Sequence, residues 1–182
     1  PIGKWKGNDA VPAEVDIAFK NESATVFQKP RKFGFKETDI IKEHVQGLLD
    51  LDIIEEAPSS CQHASNLTVA KKKDLSGQWT DTRACLDLRA INEQTTLDHY
   101  LPLSSDVMFH DVASATHKTA LDCVKAFHQI CLTEDARNKC AFWANGLLMR
   151  YKRMPFGGVN AVSVYQRAMD SILKPHAGYV HC

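Results

Sequence analysis

The sequence predicts an α+β fold, and three observations carry that prediction. The stretch from Glu37 to Leu51 places Ile41, Val45, Leu48 and Leu49 on one face at helical period. Two pairs of strand-like runs, Leu67–Ala70 with Ala84–Leu88 and Ala141–Ala144 with Leu147–Tyr151, are joined by turn signals. A second amphipathic stretch runs from Ala161 to Leu173. With 182 residues and 44% hydrophobic content, the chain can bury the core of one domain, or of one domain with a smaller lobe.

In chain order, residues 1 to 36 begin with Pro, Gly and Asn and pass through an alternating Val15-Asp16-Ile17-Ala18-Phe19 run. They end in Lys29-Pro-Arg-Lys-Phe-Gly-Phe-Lys36, eight residues with four basic and two aromatic side chains. That composition suits an arm lying along phosphates or a solvated connector. In the helix that follows, Asp39 and Glu43 favour the N-terminal end electrostatically. Asp52-Ile-Ile-Glu-Glu56 reads as a short strand closed at Pro58. Lys71 to Gly77 forms the turn of the first hairpin, where Lys71 and Lys73 share a strand face and Lys72 points the other way. A lysine triplet of this kind is either a cationic shoulder or an ordinary solvated turn. Ser104 or Ser105 can cap a short helix carrying Val107, Met108 and Val112. Asn145-Gly146 is a strong hairpin turn. The last helix turns Tyr165, Met169, Ile172 and Leu173 toward the core, ends at Pro175, and is followed by a strand from Tyr179.

Lys plus Arg equals Asp plus Glu at 22 each, so any polyanion must be held by local patches and not by a global basic field. The six cysteines include no Cys-x-x-Cys pair and several lie in apolar runs, which suits reduced thiols in a cytosolic or nuclear setting. His176 with His181-Cys182 lacks the second ligand pair of a metal site. No apolar run approaches the ~20 residues needed to span a bilayer.

Thr119 to Leu132 is the stretch with the most chemistry. Asp122 follows Ala120-Leu121, and period-2 reading sets its carboxylate at the end of a short buried strand, where a charge needs a cation. A turn or N-cap aspartate is the alternative reading.

Further stretches join it in fixed order. Val69-Ala-Lys-Lys-Lys-Asp74, Gly77-Gln-Trp79 and Arg83-Ala-Cys-Leu-Asp-Leu-Arg-Ala-Ile-Asn92 come first, then Asn92-x-x-Thr95 with Tyr100. Leu121-Asp122 with Phe127-His-Gln-Ile130, Lys139-Cys-Ala-Phe142, Met154-Pro-Phe-Gly157 with Asn160-Ala161, and Tyr165-Gln-Arg-Ala-Met169 follow. Over about residues 28 to 182 this succession resembles the reverse transcriptases, RNA-directed DNA polymerases, of gypsy-class LTR retrotransposons and retroviruses.

The resemblance implies a right-hand polymerase fold with fingers and a partial palm, the thumb absent from these residues. It divides the chain into an N-terminal arm (1–36), fingers (37–98), palm (99–129), fingers again (130–160) and a palm helix (161–182). It implies nucleotidyl transfer by a two-metal mechanism, with Mg2+ as cofactor and a template-primer and deoxynucleoside triphosphates (dNTP) as partners. Asp122 would be the catalytic metal ligand and the backbone carbonyl of Cys123 would lie near the nucleotide-associated metal. Lys72 and Arg83 would bind the triphosphate, one as a point charge and one as a planar fork. Phe127 would press on the sugar C2′ position, Phe156 and Gly157 would contact the nucleotide, and Gln166 and Asn160 would lie near the template-primer. Phe127 also suits a core position. Arg83 is matched through the downstream Leu86-Asp87 strand, since Thr80-Asp81-Thr82 separate it from Trp79.

Other positions depart from the family pattern: Tyr100-Leu-Pro-Leu103 stands for Tyr-Pro-Leu-Pro, Gly158 for Leu, and Val162 for Pro. Gly158 before a helix without an initial proline implies a looser junction. The family's Tyr-x-Asp-Asp hairpin, with the other two catalytic carboxylates, would follow the strand resembling Tyr179–Cys182. These residues by themselves are therefore expected to be inactive in polymerisation, and to expose palm strand edges for self-association or a protein partner. The alternative expectation is a non-catalytic, retroelement-derived module that binds nucleic acid or protein.

Overall fold

A computed structural model describes residues 2–73, 75–100, 105–177 and 179–180, with the side chains at 71–73, 79–81, 105–107 and 111 outside that description. Its centre is a five-stranded sheet in the order β2-β7-β6-β3-β4, built from β2 (Ile54–Glu56), β3 (Ser65–Lys73), β4 (Trp79–Leu86), β6 (Ala141–Ala144) and β7 (Leu147–Tyr151). β3 and β6 run parallel, and the other neighbours are antiparallel. A parallel two-stranded pairing of β1 (Glu14–Val15) with β5 (Cys131–Leu132) stitches the N-terminal segment to the middle of the chain.

Helix α1 (Phe35–Asp50) packs across β2, β3, β4 and β6. Glu37 starts it by accepting a hydrogen bond at 3.0 Å from the Gly34 N–H, which satisfies a donor the helix itself leaves orphaned. Its buried stripe is Ile41, Val45 and Leu48. Leu49, expected on that face, is 39% exposed, because the next residue on a helix lies about 100° round the axis and clears the sheet. Under α1, Leu67 and Phe142 from the sheet join Ile53, Ile130 and Leu132 in a fully buried centre. Each contributes roughly 1.5–3 kcal/mol of burial.

Both predicted hairpins form. β3 pairs with β4 from Leu67↔Leu86 to Lys73↔Trp79, with a register shift between Lys72 and Lys73, so strict alternation breaks inside the lysine triplet. β6 and β7 meet through Asn145 (φ 51°) and Gly146 (φ 82°), the positive-φ pair that a tight right-twisted hairpin requires. Helices α2 (Arg89–Gln94), α3 (Ser105–Ala113) and α4 (Glu134–Lys139) are short, and Ser104 lies outside the described residues.

The last helix, α5, spans Ala161–Leu173 as predicted, but its buried residues are Ala161, Val164, Gln166 and Ala168. Ile172, expected in the core, is 46% exposed, while Tyr165 packs against the core only in part. The two alanines let the helix come close to the turn at residues 126–129, and close packing selects that face over the bulkier one. Past a 3-10 turn at Lys174–His176, Tyr179 and Val180 do not form a strand. Both N–H groups bond back to the His176 carbonyl.

The strand expected to end at Asp122 is also absent. Residues 118–123 carry no regular structure and Leu121 is 92% exposed. A strand is held by the ladder of a neighbour, and no described segment runs beside this one. Five cysteines, Cys61, Cys85, Cys123, Cys131 and Cys140, are free thiols. Burial pushes the Cys140 thiol up to about 12. No helix among the described residues is long and apolar enough to cross a membrane.

Residues 14–22 are clamped to the body by a buried lysine. Lys139 Nζ donates to the Ile17 carbonyl and to Glu22 Oε2 at 2.8 Å each, pairs with Asp135 at 2.7 Å, and lies 4.6 Å from the Phe19 ring centre. Burial alone would lower the pKa of the ammonium, but the hydrogen bonds to Asp135 and Glu22 outweigh it and the net shift is upward. Lys139→Met keeps the stem and removes these contacts. The expected result is a loss of about 1–3 kcal/mol, read as a lower urea midpoint with an unchanged slope.

Candidate nucleotide site

A cavity of about 620 Å³ opens between α1, β4 and the turn after Asp122. Arg83 on β4 and Phe156 line it, along with Lys125, His128, His44 and Tyr151. Two of the residues expected to handle a nucleotide are thus brought to one concavity from opposite halves of the chain.

The turn that closes the cavity is held tightly. Lys125 adopts the left-handed conformation (φ 48°, ψ 49°), and its carbonyl accepts from the His128 N–H at 2.9 Å. Gln129 Nε2 donates to the Val124 carbonyl at 3.0 Å, and the Gln129 carbonyl accepts from the Trp5 N–H at 2.8 Å. The resulting 3-10 turn, Ala126–Gln129, sets Phe127 edge-on to Phe156 at 5.3 Å and to Tyr165 at 5.8 Å between ring centres. Such contacts fix ring orientation beyond simple burial. Phe127 is half-buried, so it both packs on the core and presents a face, and the two readings left open for it are compatible.

His128 is the buried polar member of this wall. Its Nδ1 lies 2.9 Å from the Met154 carbonyl and its ring stacks on Tyr151. Burial lowers its pKa to about 4, so the ring is neutral at neutral pH and Nδ1 donates. His44, whose Nε2 is buried without a partner among the described residues, is lowered for the same reason, with the Lys125 charge adding to the effect.

Gly157 follows Phe156 at φ +89°, with open space where a side chain would stand. Asn92 clamps this loop with both ends of its amide, donating to the Gly157 carbonyl at 2.9 Å and accepting from the Val159 N–H at 3.0 Å. Asn160 is similarly occupied, accepting from the Asp98 N–H at 3.0 Å and donating to the Thr96 carbonyl at 2.8 Å. Gln166 is buried on α5 and donates to Asp170 at 2.8 Å, while Tyr100 donates to the same carboxylate at 2.7 Å. Neither Asn160 nor Gln166 lines the cavity.

Asp122 and Cys123 are exposed on the irregular segment that leads into the turn, and neither lines the cavity. Among the described residues Asp122 makes no ion pair, and no three metal-ligating side chains cluster. The Lys72 side chain lies outside the described residues. Lys125, His128 and Asn92 were not singled out for these roles from sequence. His128 and Asn92 stood inside quoted motifs, which was their only signal. The positive φ of Lys125 leaves no mark on residue type.

Below pH 6.5 the unfolded chain protonates the histidine that the folded chain holds neutral. Stability is therefore expected to fall as pH drops from about 6.5 toward 4, with no contribution above that window. His128→Phe should lose less stability than the parent between pH 7 and pH 5, measured as the shift in urea midpoint.

A family model described as reverse transcriptase (RNA-dependent DNA polymerase) matches residues 70–182. The chain is 34% identical over 145 residues to the retrovirus-related Pol polyprotein from transposon gypsy of Drosophila melanogaster, covering 79% of this chain and 14% of that protein. It is 25% identical over 183 residues to a putative enzymatic polyprotein of Cassava vein mosaic virus, covering 99% of this chain and 27% of the relative. The chain thus spans about a seventh to a quarter of these curated relatives. Its fold matches the foamy viral protease-reverse transcriptase in complex with RNA/DNA hybrid with a TM-score of 0.75 at 20% identity, over 100% of this chain and 23% of that one.

Proposed function

Because the chain belongs to the reverse transcriptase (RNA-dependent DNA polymerase) family, we propose that it forms the nucleotide- and template-handling part of a retroelement polymerase that joins deoxynucleotides to a primer by two-metal nucleotidyl transfer. The observation that carries this reading is the cavity that unites Arg83 with Phe156, and Phe127 against Phe156. A volume of about 620 Å³ is in the range of small-molecule sites.

In the reaction the primer 3′ hydroxyl attacks the α-phosphate in line and pyrophosphate leaves. Arg83 offers a planar fork to phosphate oxygens, and the lysines of β3 add cationic charge to the same hairpin. Phe127 forms a wall against the sugar, where an additional 2′ hydroxyl would clash. The open Cβ side of Gly157 lets substrate approach the backbone, and Asn92 keeps that loop in place. Asp122, an exposed carboxylate without an ion pair among the described residues, suits a hard oxygen-seeking ion and is the residue that would hold magnesium. When bound there, magnesium would activate the attacking hydroxyl and neutralise charge on the phosphates. Nucleic acid as a partner follows the foamy viral relative, whose structure contains an RNA/DNA hybrid.

A second reading is favoured by Leu121 and Val124, which are 92% and 72% exposed. An apolar pair beside the turn suits contact with another protein surface or a second copy, and sedimentation at rising concentration reads it directly.

The test of the main reading is binding of a labelled RNA/DNA hybrid and of dTTP. Hybrid affinity is expected to fall linearly in log–log terms as salt rises. Asp122→Asn should remove the magnesium dependence of dTTP binding while leaving the melting temperature unchanged. Salt-independent hybrid binding, or magnesium dependence that survives the substitution, would overturn it.

A further inference from the structure

The cavity holds a second cation that the resemblance to polymerases leaves without a role. Lys125 lines the same concavity as Arg83 but comes from the turn rather than from β4. It is exposed, and among the described residues its ammonium has neither an ion pair nor a side-chain hydrogen bond. The other charged group on the lining is the Glu43 carboxylate on α1, so Arg83 and Lys125 leave the wall net positive. His44 and His128, which also face it, are held neutral and add no cation.

The backbone at Lys125 is the second observation. A lysine at φ 48° sits in the left-handed region, which crowds its Cβ and which glycine occupies freely. The strain is over-determined by the hydrogen bonds at 2.9 and 3.0 Å around the turn. Strain held in this way at the rim of a cavity is a mark of a side chain positioned for use. Its direction of use follows from charge: a free ammonium in a net positive cavity that contains a guanidinium recognises a phosphate chain.

Building on the nucleotide reading above, we propose that Lys125 is a phosphate-binding cation of this site and, together with Arg83, holds the triphosphate of a nucleoside triphosphate from two walls of the cavity. The two groups divide the work by shape. The guanidinium fork takes paired oxygens, and the ammonium follows the chain as a mobile point charge.

The experiment titrates dTTP with magnesium into the full chain and into Arg83→Gln, Lys125→Gln and Lys125→Gly, with the RNA/DNA hybrid as a second probe. Lys125→Gln is expected to weaken dTTP about tenfold, the scale of one charge-assisted hydrogen bond, and to change hybrid affinity little. Lys125→Gly should weaken dTTP equally while raising the melting temperature, because glycine relieves the turn; this separates the lost ligand from a damaged fold. If both Lys125 variants bind dTTP like the parent while Arg83→Gln is weakened, the inference fails and the nucleotide reading stands. If Lys125→Gln weakens the hybrid but not dTTP, the cation belongs to a nucleic-acid track and the proposal is overturned. If the parent chain itself does not bind dTTP, the nucleotide reading fails and the inference with it.

Discussion

The guanidinium of Arg153 is buried, and among the described residues it binds no carboxylate. Nη1 donates to the Gly3 and His128 carbonyls at 2.9 and 3.0 Å, and Nε donates to the Asp52 carbonyl at 3.3 Å. Three stretches more than a hundred residues apart in part are thereby tied to the strand end that leads into Met154-Pro155-Phe156. The charge is compensated by carbonyl dipoles, each of which would be orphaned and dehydrated without its donor. Arg153 thereby joins the turn carrying Phe127, the connection after α1 and the N-terminal segment, alongside the Trp5–Gln129 backbone bond and the β1–β5 pairing.

This explains why the N-terminal residues are part of the body. Val11, Val15 and Phe19 are buried, β1 pairs in parallel with β5, and Arg137 reaches Glu14 at 3.3 Å. The basic stretch Lys29–Lys36 begins as a connector by the same token: Arg31 pairs with Asp87 at 3.1 Å, and Phe33 packs against the core. Asp87 also takes the Arg89 side chain at 2.8 Å, and the Arg89 hydrogen bond, with Arg31 adding to it, holds its carboxyl well below the usual range. The buried Arg150 is matched locally in the same way, by Glu55, Glu134 and Asn138. The balanced total charge thus coexists with a cavity whose lining is net positive.

The sheet and the site respond to different kinds of information. Strand-forming pairs with a local turn, such as β6 and β7 around Asn145-Gly146, satisfy their hydrogen bonds within a dozen residues, so residue pattern suffices to recognise them. The run at 119–122 has an equally strand-like pattern but no neighbour among the described residues, and it stays irregular. Alternation reports the capacity for a strand, whereas pairing decides whether one forms.

The sequence by itself determined the α+β class, both hairpins and the two long helices, because each rests on local period or residue type, and its resemblance to a known family set Arg83, Phe127 and Phe156 in one ordered run of motifs. Tertiary structure alone decided which face of α5 is buried, that Asn160 and Gln166 hold the scaffold, that His128 is neutral, and that Lys125 stands at a left-handed turn on the cavity rim. Those outcomes come from contacts between residues distant in the chain and from backbone torsions. Neither leaves a periodic trace in the order of side chains.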